Sequence, residues 1–114
     1  VLRRSWDTHL GFGLTHPRLY TIMYGSSGDS PAGSSEAVVV ARAELIEAVR
    51  RIDGAGRLRL PVEVAADALE AAAVGTALWL IRTGGAVDDP AAVIIRDAVT
   101  ASVEREPGVR RRAS

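Results

Sequence analysis

The sequence predicts an all-α fold, a single-domain bundle of about five helices, and three observations predict it. Apolar residues recur at three- and four-residue spacing along most of the chain, and no convincing stretch alternates as a half-buried strand would. Proline and glycine stand at the edges of those periodic runs, where helices start and stop. The length, 114 residues, suits one domain, able to bury roughly 60–70% of the surface its unfolded chain exposes.

The first helix is predicted over 2–15, with Trp6, Leu10 and Gly13 one or two turns apart. Pro17 ends it near His16 and opens a second helix over 17–24, because proline suits a first helical position and disfavours α geometry in the residue before it. Leu19, Ile22 and Met23 share one face of this short helix, and Tyr20, Met23 and Tyr24 an overlapping one. Residues 25–35, GSSGDSPAGSS, have almost nothing to bury and read as a flexible loop. A third helix is predicted over 35–53, capped by Ser35 and stopped at Gly54, with Val38, Leu45, Val49 and Ile52 on one stripe. Pro61 or Val62 opens a long helix that ends at Gly84–Gly85; at ~1.5 Å per residue it spans roughly 33 Å, a full domain width. Asp88 or Asp89 caps the last helix, Pro90 sits in its first turn, and it runs to about Glu106, leaving 107–114 as a disordered tail.

Composition removes several functional classes. There is no cysteine, so a disulfide framework and a thiolate metal site are both excluded. Fourteen basic residues, all of them Arg, balance fourteen acidic ones, which argues against nucleic-acid binding by this chain alone, since phosphate neutralisation needs a basic face. The absence of Lys, Asn and Gln reads as the coding bias of a GC-rich genome. The longest uncharged apolar run, 71–81, is shorter than the ~20 residues of a membrane span, and no membrane association is expected.

Four of the five aromatics, the only Met and both His residues fall between Trp6 and Tyr24. The order Trp6, Phe12, then His16–Pro17–Arg18–Leu19–Tyr20–Thr21–Ile22–Met23 resembles the start of the C-terminal effector-binding domain of TetR-like transcriptional regulators. The order of the later helices extends the resemblance over most of the chain. It implies a cytoplasmic bacterial regulator whose N-terminal helix-turn-helix domain, expected to lie outside this sequence, contacts DNA. The chain itself would sense a small, largely apolar effector that controls DNA binding allosterically. The resemblance also implies that the effector binds among the first three helices and the inner face of the long one. Carried over by residue, it points to Trp6, His9, Phe12, His16, Tyr20 and Met23, with Val74 and Leu78 from the long helix. The plainer alternative for each aromatic is ordinary core. Gly11 and Gly13, each costing about 1 kcal/mol in a helix relative to Ala, call for either close helix contact or open space.

The two last helices are apolar on more than one side. On the long helix Ala65, Ala68, Ala72, Gly75 and Trp79 form one stripe, and Ala66, Leu69, Ala73, Ala77 and Leu80 another. The final helix spreads Val93, Ile94, Ile95, Ala98, Val99, Ser102 and Val103 over more than half its circumference. A helix apolar on two sides must be covered on both, and a second copy is the simplest cover. This gives a two-fold four-helix interface, as the resemblance also implies, expected to use Ala73, Gly75, Ala77, Leu80, Ile94, Ala98 and Ser102. Mutual burial within one chain is the alternative.

No catalytic residues, metal or cofactor are expected. The serines cluster in 25–35 away from a positioned base, and His9 and His16 lack a carboxylate at metal-ligand spacing. Asp67 and Glu70, three apart, read as a solvated outer face. Two other readings stay open: a helical pairing module without ligand, and a small all-α dimeric enzyme.

Overall fold

The structure is a computed structural model that describes residues 2–25 and 36–105. They form five helices in the order α1 Leu2–Thr15, α2 Pro17–Tyr24, α3 Glu36–Gly54, α4 Val62–Thr83 and α5 Pro90–Val103, with no named strand among the described residues. The all-α fold read from the sequence is therefore observed. The predicted Ser35 cap, the loop over 26–35 and the tail over 107–114 lie outside the described residues.

The breaks between helices follow from local chemistry. His16 leaves helical geometry at φ −126° and ψ 62°, and Pro17 restarts the chain as the first residue of α2. Gly84 ends α4 in the left-handed region at φ 70°, a conformation that costs glycine nothing. Asp89 caps α5 by accepting a hydrogen bond from the Ala91 amide at 3.0 Å.

Helix α5 stops at Val103, three residues before the predicted end. Glu104 turns extended, at φ −123° and ψ 137°, and bridges Leu58 in the α3–α4 connection. The Arg59 amide donates to the Val103 carbonyl and the Arg105 amide to the Arg57 carbonyl, while Arg57 and Glu104 pair at 2.7 Å. The connection thus takes over hydrogen bonds that another turn of helix would have used.

Helix α4 is the centre of the bundle, touching α1, α3 and α5 along its length and α2 more lightly. Its buried residues, Ala65, Ala66, Leu69, Ala73, Thr76, Ala77 and Leu80, cover one side. At one end they close a cluster with Leu2, Val49, Ile52 and Val103. At the other they close a second with Trp6, Leu10, Tyr20 and Ala92. By length and composition alone α4 is apolar enough to cross a membrane, which the uncharged 71–81 run did not suggest; here that apolarity serves the two clusters.

The inward stripe of α4 is the one containing Ala73, Ala77 and Leu80, and all three are buried within the chain. These three residues of the expected interface set therefore pack in the core of the single chain. Gly75, Ile94, Ala98 and Ser102 are exposed, with Ile94 at 67%. On α5 the exposed positions include Ile94, Ile95, Ala98, Ala101 and Ser102, with Asp97 the one charged residue among them.

Candidate ligand-binding cavity

A cavity of about 850 Å³ opens between α1, the end of α2, the first half of α3 and the middle of α4. Helix α1 contributes Leu2, Trp6, His9 and Phe12 at three- and four-residue steps, so one face of the helix forms a wall. Met23 and Tyr24 come from α2, and Leu69, Glu70 and Ala73 from α4. The opposite wall is α3 from Glu36 to Leu45, yet every buried residue of α3, Ala48, Val49 and Ile52, lies beyond that wall. Most of the lining is apolar, as ligand sites between helices generally are.

Trp6, His9, Phe12 and Met23 of the expected set line this space. Tyr20 stands behind it, fully buried, with its hydroxyl 2.5 Å from His9 Nε2. A buried phenol needs a partner, and among the described residues His9 is the one bonded to it. We therefore assign Tyr20 as donor to Nε2, which puts the imidazole proton on Nδ1. The expected residues His16, Val74 and Leu78 are not in the lining. His16 is exposed, with the tilted Phe12 ring beside it at 5.4 Å. Val74 lines an adjoining, more open groove with Val39 and Gly75, which shares Tyr24, Val38, Arg42 and Glu70 with the cavity, and Leu78 packs against the Trp6 cluster.

The aromatic side chains hold one another. The His9 ring meets Tyr20 edge-on at 5.4 Å and Tyr24 at 5.7 Å. Tyr20 and Tyr24 lie 4.7 Å apart at 33°, and Phe12 approaches Tyr20 at 6.3 Å. Gly13 makes this possible, because a β-carbon there would stand 3.1 Å from Tyr20 Cδ2. Gly11 has nothing within 4 Å of such a position, so of the two explanations for helical glycine, contact applies at 13 and open space at 11.

Burial lowers the His9 pKa from its ordinary 6.5, against an opposing pull from the Glu70 charge, so the ring is neutral at pH 7. Burial raises Tyr20 well above the usual phenol range, with Tyr24 and Glu70 adding to the shift. Tyr24 is raised by burial and then by Glu70. All three rings therefore face the cavity region uncharged.

Sequence reasoning missed Glu70. Rather than sitting on a solvated face, it lines the cavity half-buried and accepts from Arg42 Nη1 at 2.8 Å, while Nη2 of the same guanidinium reaches Asp67 at 2.6 Å. The signal available was a carboxylate one turn from Ala66 and Ala73 on an otherwise apolar helix. Its partner lies 28 residues away, beyond the range of any local pattern. No group of three or more His, Asp or Glu side chains placed to hold a metal occurs among the described residues.

Compared with known proteins, the chain matches no family model, no curated protein and no solved structure.

Proposed function

We propose that this chain is the effector-binding and dimerisation domain of a TetR-like transcriptional regulator. The observation that supports it best is the largely apolar cavity walled by α1, α2, α3 and α4, with Trp6, His9, Phe12 and Met23 in its lining. A small apolar molecule in that space contacts both α1 and the first half of α3, and so favours one spacing of the two. Two copies joined through the outer faces of α4 and α5 would pass that change to a pair of DNA-binding domains, and operator DNA would alter effector affinity by the same factor.

A neutral apolar dye, N-phenylnaphthylamine, tests the cavity. The expected outcome is saturable fluorescence enhancement at one dye per chain, weakened at least about tenfold by Ala41→Phe, which fills the space from α3. Dye that never saturates, or binds Ala41→Phe equally well, rejects the sensing role. The second reading, a pairing module without ligand, would then stand on the exposed Ile94 and Ala98 face alone.

A further inference from the structure

The cavity wall is largely apolar, and its charged residues, drawn from α1, α3 and α4, are two basic against three acidic. They are Arg4 and Arg42 against Glu36, Glu44 and Glu70. Arg42 already answers two carboxylates, Asp67 and Glu70. Arg4, Glu36 and Glu44 are all exposed, so Arg42 and Glu70 are the charges held partly inside the wall. His9 is kept neutral by burial and supplies no competing cation.

Glu70 is the carboxylate that shares the lining with the aromatics while only partly exposed. It stands on α4 between Leu69 and Ala73, in the same lining as Trp6, His9 and Tyr24. One carboxylate oxygen takes the Arg42 hydrogen bond, and no partner to the other is present among the described residues. Its field reaches His9, Tyr20 and Tyr24, in each case favouring the protonated ring. The Tyr24 hydroxyl likewise has no hydrogen-bond partner among the described residues. The flat faces of Trp6, Phe12 and Tyr24 attract a cation through their ring quadrupoles.

We propose that the cavity selects a ligand with a bulky apolar body and a protonated amine, and that Glu70 is the group that receives the amine. The body lies against Trp6, Phe12, Met23 and Leu69, and the ammonium donates to the open oxygen of Glu70 with the Tyr24 ring beside it. An alcohol of the same shape makes the hydrogen bond without the charge. A carboxylate meets Glu70 as a like charge. This selection rests on the cavity reading above.

Calorimetric titration of the chain with three ligands that share one body, diphenylpropylamine, diphenylpropanol and diphenylpropanoate, tests it. The amine is expected to bind about tenfold tighter than the alcohol, and the acid weakest of the three. Glu70→Gln, which keeps an acceptor for Arg42 and removes the charge, is expected to bring amine and alcohol level. Arg42→Met, which leaves Glu70 unanswered, is expected to widen the lead of the amine. An alcohol or acid that matches the amine overturns the selection, as does a lead that survives Glu70→Gln, and either result leaves the cavity itself intact. If none of the three binds, the cavity reading falls and this selection with it.

Discussion

The Tyr20 ring occupies the space that a side chain on Gly13 would need: a β-carbon at 13 would stand 3.1 Å from Tyr20 Cδ2 and 3.3 Å from Cε2. Tyr20 cannot yield easily, being fully buried, bonded to His9 and packed against Tyr24. Gly13→Ala would gain about 1 kcal/mol in helix propensity and lose about 1–3 kcal/mol to overpacking. The expected net effect is destabilisation of about 1 kcal/mol. Gly11→Ala, on the same helix with open space around it, is expected to stabilise by about 0.5–1 kcal/mol. Urea unfolding of the two variants checks this, and equal signs would contradict the packing of Tyr20.

The His9–Tyr20 bond has a pH signature. Folding depresses the His9 pKa below 6.5, so above that value both folded and unfolded states carry a neutral ring and its contribution is constant. As pH falls below 6.5 the unfolded state binds the proton first, and stability is lost toward the folded pKa. Between about pH 7 and 5 the wild type is expected to lose stability more steeply than His9→Gln. A pair of melting series across that range measures the difference in slope. Tyr20→Phe, which leaves Nε2 without its donor, is expected to cost about 1 kcal/mol at pH 7.

Helix boundaries were legible in the sequence where one residue decides them. Pro17, Gly84 and Asp89–Pro90 act through their own backbone or side chain, and the structure breaks the helices at all three, with Asp89 of the two candidate aspartates as the cap. Features that depend on distant partners were not. The early stop of α5 needs Leu58, and the placement of Glu70 needs Arg42. The two stripes of α4 show a further limit. Both are built of Ala with a few larger apolar residues, so periodicity marks two apolar sides without saying which faces inward. The structure turns Ala73, Ala77 and Leu80 inward. Half of the expected ligand-contacting set lines the cavity, three of the four on a simple stripe of α1 and Met23 on α2, whereas Val74 and Leu78 fall on other faces of α4.

Arg42 ties the first half of α3 to α4. All buried residues of α3 lie in its second half, while Val39 and Val40 are exposed at 59% and 48%. The two ion pairs, to Asp67 and Glu70, are partly solvated and are each worth about 0.2–1 kcal/mol. Arg42→Gln is therefore expected to change global stability little and local stability clearly. Amide hydrogen exchange in peptides covering 36–47 should quicken severalfold, with 48–54 unchanged. Uniform acceleration along α3 would mean that Arg42 supports the whole fold rather than this wall.

The outer faces of α4 and α5 supply the last prediction. Gly75, Ile94, Ala98 and Ser102 remain exposed in the single chain, and the described residues form a slab only 18 Å through in its shortest extent. An apolar face of this kind on a thin helical layer fits a two-fold interface in which the same patch meets itself. Light scattering over a dilution series is expected to give a dimer mass for the wild type. Ile94→Glu and Gly75→Arg are each expected to give a monomer with unchanged helicity. Neither change disturbs the single chain, since Ile94 is exposed at 67% and a β-carbon at Gly75 meets nothing within 4 Å. A wild-type monomer would reject the interface, whereas a dimer that survives both substitutions would move it to another face. Loss of the dimer in both variants would join α4 and α5 in one surface, while the buried Leu69 and Ala73 of the same α4 helix line the cavity.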